Sequence, residues 1–320
     1  MDAVSDTILN EEVPRARLAL LLKHFSKLAD GREPWRVLYP LHEVLLLVTC
    51  ATIASCDDFD DIVAWGKHHL AFLRQFSEFH HGIPCERWIR CLVNRIDPAL
   101  FGRCFENWVA SLWPGRHEFI AIDGKTSRRT HDRRKGLKAL HTLSAYATNA
   151  RLVLAQLSVP EKTNEITAIP ELLDELAEAG QLKGALVTFD AMGLSDRSYP
   201  GQPRFANIKT IVKIHTRTEY HDRCSFDTRH YISSAPLDIE RLSTGARGHW
   251  GVESMHWMLD VEFGDDLSRY RTGDGAKNMA IVRRFALGLV RANKRKGSVK
   301  TRRKSASWDP KFLLEILQLK

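Results

Sequence analysis

The sequence of 320 residues lacks an apolar run long enough to cross a bilayer. Its longest run, Val44 to Ala54, falls well short of the roughly 20 residues required, so no membrane span is expected. The first residues, Met1-Asp2-Ala3, lack the basic-then-apolar pattern of a secretory signal, which points to the cytoplasm. No internal repeat is found. The six cysteines (Cys50, Cys56, Cys85, Cys91, Cys104, Cys224) are irregularly spaced and include no Cys-x-x-Cys. Most fall in apolar or helical patterns, so they read as buried reduced thiols rather than a zinc or disulfide framework. A nucleotide-binding P-loop is missing too. Gly124-Lys125-Thr126 matches the end of that motif, but the glycine required five residues earlier is Phe119.

What is present begins with charge. The chain carries 47 Lys+Arg against 39 Asp+Glu, a net of +8. Residues 1–114 hold 12 basic and 15 acidic side chains, so the whole surplus, +11, sits in residues 115–320. Such asymmetry suggests a polyanion-binding domain beside a more neutral one. Trp113-Pro114-Gly115 marks the expected boundary.

Apolar residues at three- and four-residue steps predict helices over Leu18–Leu28, Leu41–Ala54, Phe59–Phe76, Glu86–Asn94 and Pro98–Leu112. Asp57 or Asp58 is placed to cap the third. The pattern then changes. Short apolar segments predict strands over Glu118–Asp123, Ala139–Thr148, Leu152–Val159, Ala185–Asp190, Ile208–Ile214 and Thr228–Ser233. Helices are expected over Ile166–Ala179, Leu237–Leu259, Ala276–Ala292 and Pro310–Leu319. The stretch Arg291 to Lys304, with eight Lys/Arg and no acid, reads as a solvated arm. The reading is an α/β domain with a mixed sheet, preceded by a mostly helical N-terminal domain.

Asp123 and Asp190 each end an apolar strand. A carboxylate there is costly unless paired, capping or metal-bound. On neighbouring strands, the two would emerge together and suit a divalent cation, with Glu253 from a helix completing the set. Strand-terminal Asp residues also serve as turn formers or caps. Asp260, Asp265 and Asp266 compete with Glu253 for the third place. His249, Glu253, His256 and Asp260 follow at steps of four, three and four, so they share one helical face. A mononuclear transition-metal site is an alternative for that face. The preferred reading makes Glu253 the metal ligand, with the His and Asp neighbours hydrogen-bonding or positioning DNA. Trp250 and Trp257, on the same helix, are expected in the core, with stacking on a flipped base as the alternative. His68-His69 and His80-His81 are read as surface residues.

Several strings occur together and in order: Ile122-Asp-Gly-Lys-Thr126, Glu161-Lys-Thr-Asn-Glu-Ile-Thr-Ala-Ile-Pro-Glu-Leu-Leu173, Asp190-Ala-Met-Gly193, Tyr231-Ile-Ser-Ser234, Gly248-His-Trp-Gly-Val-Glu253 and His256-Trp-x-Leu-Asp260. Together they resemble the H-repeat-associated branch of the bacterial DDE transposases. Asp30-Gly-Arg32, Tyr39-Pro-Leu41 and Gly82-Ile-Pro84 resemble that branch's associated helical domain. The resemblance covers nearly the whole chain. It implies a transposase-associated helical domain over 1–114 and a ribonuclease-H-like catalytic domain with a basic C-terminal arm over 115–320. Asp123, Asp190 and Glu253 would be its acidic triad. Two Mg²⁺ ions about 3.5–4 Å apart, replaceable by Mn²⁺, would activate a water against a phosphodiester and stabilise the leaving 3′ oxygen. The freed 3′-hydroxyl would then join target DNA.

The implied partners are double-stranded DNA, as element terminal repeats and target, and a homo-oligomer assembling on that DNA. The implied setting is the bacterial cytoplasm, on the nucleoid when DNA is bound. Lys125, Arg128, Arg129, Arg247, His249, Arg295, Lys296, Arg302 and Arg303 are the candidate DNA contacts, as phosphate-neutralising groups. The chain also departs from the branch. The block that follows Asp-Ala-Met-Gly in relatives is missing between residues 194 and 207. The 63 residues from Asp190 to Glu253 are correspondingly few, whereas the 67 from Asp123 to Asp190 are usual. Two other functions therefore stand beside transposition: a catalytically inactive DNA-binding remnant, and a two-metal nuclease without strand transfer.

Overall fold

A computed structural model describes residues 18–112, 119–132, 134, 136–159, 165–189 and 209–317. Residues 18–25 are helical (α1). They are followed by α2 (Leu41–Ile53), α3 (Phe59–His68), α4 (Leu70–Leu73), α5 (Glu86–Val93) and α6 (Pro98–Leu112). Every residue of α2 except His42 is buried, so it is a core helix and not an amphipathic one. Its one carboxylate, Glu43, is satisfied by the Phe79 N–H at 2.7 Å and the Ser77 hydroxyl at 3.0 Å. Asp58 accepts the Asp61 N–H and caps α3 as expected. The helix predicted over Phe59–Phe76 is broken at His69, whose ring stacks on Trp65 and whose Nδ1 lies 3.0 Å from the Trp65 carbonyl.

Four strands form a mixed sheet in the order β3-β2-β1-β4: β1 (Phe119–Ser127), β2 (Leu140–Ala147), β3 (Leu152–Val159) and β4 (Leu186–Phe189). The first three are antiparallel meander neighbours, and β4 runs parallel to β1. Helix α7 (Glu165–Glu178) makes the crossover and packs on β2 and β3. The next two strands, β5 (Thr210–Glu219) and β6 (Cys224–Ser233), form a separate hairpin and do not join that sheet. Then come α8 (Ile239–Phe263), α9 (Gly275–Ala292), α10 (Val299–Trp308) and α11 (Pro310–Leu317).

Helix α9 is buried from Asn278 to Val290 and touches α2, α5, α6, β3, α8, α10 and α11. One contiguous apolar cluster therefore runs from Leu18 through the sheet to Leu317. The side-chain amide of Asn278 closes that junction, donating to the Val93 and Ile96 carbonyls at 2.8 and 2.9 Å.

Three expectations need correction here. The basic arm is not a solvated extension: Arg291 belongs to α9, and Lys300 to Lys304 lie on α10. Arg303 is buried, donates to the Thr52 carbonyl and to Asp57, and lies over the Phe263 ring. Only three of the six cysteines are buried; Cys85, Cys91 and Cys224 are exposed, and all six are free thiols. Trp250 and Trp257 are not core residues, being 47% and 61% exposed.

Candidate active site

Strand β1 does not stop at Asp123. It runs four residues further, pairing Lys125 with Thr142 and Ser127 with Leu140 across β2. On its other side, β4 pairs with β1 only as far as Ile122 opposite Phe189. Those two residues immediately precede Asp123 and Asp190 in the sequence, so the strands that lead to the two carboxylates are parallel neighbours. Asp190 itself lies outside the described residues.

Helix α8 is laid over β1 and β4. Gly245 permits the approach: a Cβ there would stand 2.7 Å from a Leu186 methyl and 3.4 Å from the Phe119 ring. Four residues of helix advance about 6 Å and two residues of strand about 6.7 Å, so an i, i+4 pair on α8 meets an i, i+2 pair on β1. The contacts follow that match. His256 Nδ1 lies 3.2 Å from Asp123 Oδ2, and Asp260 accepts from Lys125 Nζ at 2.5 Å. One turn beyond α8, the Ser127 hydroxyl donates to Asp265 at 2.7 Å. At the near end, His249 Nδ1 lies 3.1 Å from the Thr188 hydroxyl of β4.

Asp123 is about three-quarters buried, and burial pushes its carboxyl pKa up. His256, the Gly124 N–H at 2.8 Å and the charge of His249 outweigh this and hold it below the ordinary carboxylate range. It is therefore an ionised acceptor at neutral pH. Burial lowers the His256 pKa more than Asp123 restores it, and its Nε2 is buried without a partner among the described residues.

Glu253 stands on α8 one turn before His256, on the same helical face. It is exposed, and it forms no ion pair among the described residues. The competing acids are all engaged. Asp260 and Asp266 flank Lys125, and Asp266 also lies 3.5 Å from Arg128 Nε. Asp265 is fully buried against Arg283 at 3.1 Å. Of the four candidates for a third ligand, Glu253 alone is left with a free carboxylate among the described residues. Among those residues, no three His, Cys, Asp or Glu side chains converge as a metal cage.

The candidate DNA contacts divide. Arg128, Arg129, Arg247, Arg295 and Lys296 are exposed. Lys125 is not: its side chain is 6% exposed and neutralised by two acids, so it is a buried strand residue and not a phosphate contact on a turn. His249 is buried in the seam between α8 and β4. Arg302 donates to the Val290 and Asn293 carbonyls, tying α10 to the end of α9, and Arg303 is the buried partner of Asp57. Lys125, His249 and Arg303 are buried within the fold, whereas Arg302 is half-buried.

Sequence reasoning missed the acid–arginine group behind the seam. Arg284 is fully buried and donates to Ser144, the residue opposite Asp123 on β2, while Arg283 holds Asp265. Two consecutive arginines inside the apolar run Ile281 to Val290 are the available signal, because such charges are kept in a core only when paired.

Comparison with known proteins follows the same layout. The profile of the family described as "Transposase DDE domain" matches residues 114–289, and that of "DDE_Tnp_1-associated" matches residues 22–109. The chain is 30% identical to "H repeat-associated putative transposase YhhI" of Escherichia coli strain K12, over 94% of this chain and 98% of the relative. It is also 30% identical to "Putative protein YbfL" of the same organism, with the same coverage. A third relative, "H repeat-associated putative transposase YbfD", is 39% identical over 55% of this chain and 68% of its own length. The first two alignments run over 374 positions, more than the 320 of this chain, so those relatives carry residues with no counterpart here.

Proposed function

Because the chain belongs to the H repeat-associated DDE transposases, we propose that it transposes an insertion sequence by metal-dependent cleavage of DNA ends and strand transfer. The observation that carries this reading is the seam itself. An ionised Asp123 stands on the strand beside β4, and Glu253 lies one turn along α8 from the histidine that touches it. In this reading the sheet with α8 is a ribonuclease-H-like core within residues 115–320. Residues 1–114 are the associated helical domain, and Asp123, Asp190 and Glu253 form the acidic triad.

The donor set fits a hard divalent cation, being carboxylate oxygens with Asp123 already ionised. Mg²⁺, or Mn²⁺ in its place, supplies water activation and stabilisation of the leaving 3′ oxygen when two ions are bound. The chain's own part is positional. His256 and the Gly124 N–H hold the Asp123 carboxylate, one on each oxygen. Lys125 with Asp260, and Ser127 with Asp265, lock α8 in register on β1, which fixes the height of Glu253 above Asp123. Arg128 and Arg129, just past the end of β1, and Arg247, two turns before Glu253, offer exposed charge to duplex phosphates. The freed 3′-hydroxyl is then the nucleophile toward target DNA, so no protein nucleophile is required.

The test is cleavage of DNA carrying the element's own ends. Wild type with Mg²⁺ or Mn²⁺ is expected to cut, and Asp123→Ala to lose cutting while retaining DNA binding. Equal cleavage by both proteins would sink the assignment. Joined products with a target plasmid separate a transposase from a simple nuclease. A second reading, a DNA-binding remnant without activity, is favoured by the relatives' additional residues. It predicts retained binding and no metal-dependent cutting by wild type.

A further inference from the structure

Away from the β1–α8 seam, a cavity of about 200 Å³ opens between α6, strands β2 and β3, α7 and α9. Oxygen atoms dominate its polar wall. Glu106 comes from α6, Thr142 from β2, Gln156 from β3 and Glu175 from α7. Three of these oxygens are buried with no hydrogen-bond partner among the described residues: Thr142 Oγ1, Gln156 Oε1 and Glu175 Oε2. Thr142 is only 3% exposed, so water does not reach its hydroxyl from outside. Glu106 Oε1 has one weak contact, the Gln156 N–H at 3.4 Å.

Among the described residues, no basic side chain forms an ion pair with Glu106 or Glu175. Lys277 lines the cavity, but its Nζ is held by Asp274 at 2.8 Å. Arg103 is exposed and forms no ion pair with either glutamate among the described residues, although its charge reaches both. Orphaned buried oxygens from three separate elements, beside a glutamate from a fourth, are costly unless something binds them together.

We propose that this cavity is a structural site for one hard divalent cation, liganded by the Glu106 and Glu175 carboxylates, the Gln156 amide oxygen and the Thr142 hydroxyl. Two carboxylates balance a divalent charge, and an all-oxygen set selects Mg²⁺, Ca²⁺ or Mn²⁺ over thiophilic metals. The ion clamps α6, from the N-terminal helices, and α7 onto the sheet. It is separate from the proposed catalytic ions and does not depend on that assignment.

The test uses the full chain carrying Asp123→Ala, Asp190→Asn and Glu253→Gln, which removes all three proposed catalytic carboxylates. Equilibrium dialysis against Mn²⁺, and separately against Ca²⁺, is expected to retain one ion per chain. Adding Glu106→Gln or Glu175→Gln should weaken that binding about tenfold or more. Thr142→Val removes one ligand oxygen at nearly constant volume, so it covers the case in which a glutamate variant fails to fold. It should also weaken binding, and the rise in melting temperature on adding metal should shrink with it. No retained ion, or retention with unchanged affinity in Glu106→Gln and Thr142→Val, would overturn the proposal and leave the cavity to water.

Discussion

Lys125 has 6% of its side chain exposed, whereas its partner Asp260 has 33%, and that difference decides what each substitution costs. Removing Asp260 leaves a buried ammonium with only Asp266 at 3.6 Å; removing Lys125 leaves a carboxylate that water still reaches. Asp260→Ala is therefore expected to destabilise by about 3 kcal/mol and Lys125→Met by about 1 kcal/mol, measured by urea unfolding. Asp265 carries a pH signature. Burial raises its carboxyl, but Arg283, Arg284, Lys125 and the Ser127 hydroxyl prevail and hold it below the ordinary value. The unfolded chain then binds that proton more readily than the folded one. The stability Asp265 contributes is present above the ordinary carboxylate pKa of 3.8 and is lost as pH falls below it. Asp265→Asn should unfold more easily at neutral pH and lose less stability on acidification. Parallel acid titrations of the two proteins would contradict this.

The elements show what is legible in the sequence and what is not. The pattern of strand β3 predicts its observed bounds, Leu152–Val159, because both its faces and its turn residues are local signals. The helices of the N-terminal half and α9 are likewise visible from their periodicity. The last four residues of β1 are not, because a lysine after Asp-Gly reads as a turn until its partner is known. That partner, Asp260, is 135 residues away. The same holds for Arg303, whose acid lies 246 residues back, so that its local sequence reads as solvated. Helical steps correctly place His249, His256 and Asp260 on a shared face. Which strand residue each meets depends on the register of α8, which no spacing encodes. Trp250 and Trp257 defeat the sequence reading for the opposite reason: the default for a tryptophan is burial, but this helix turns them away from the sheet. At this scale, Asp238 caps α8 by accepting the Arg241 N–H at 2.9 Å. Asp238→Ala should cost about 1 kcal/mol of stability. The turn it frays is remote from Glu253, so DNA cleavage measured below the melting temperature should not change.

For the whole molecule, the charge surplus of residues 115–320 separates into two populations. Arg283, Arg284 and Arg303 are buried in paired networks, so they contribute to folding and not to an external field. Arg128, Arg129 and Arg247 remain on the surface near the seam. Arg128→Ala with Arg129→Ala should weaken DNA binding across sequences. The slope of log K against log salt should fall by about 1 for each phosphate that the variant no longer neutralises. Arg303→Ala should instead lower the melting temperature and leave the slope unchanged. An unaltered slope in the double variant would remove those arginines from the DNA interface.

The burial of α9 also sets the timing of folding during synthesis. Helix α2 is apolar on nearly every side, and the surface that covers much of it, α9, begins at Gly275. About 220 residues separate them, so a ribosome adding about 5–20 residues per second leaves α2 without its final neighbour for roughly 10–40 s. Until then the nascent chain exposes a helix that no amphipathic arrangement can shield. A chaperone able to hold apolar helices is expected to engage the N-terminal hundred residues and to release them once α9 has docked. The sheet and its carboxylates, although emerging earlier, acquire their finished packing only at that late step.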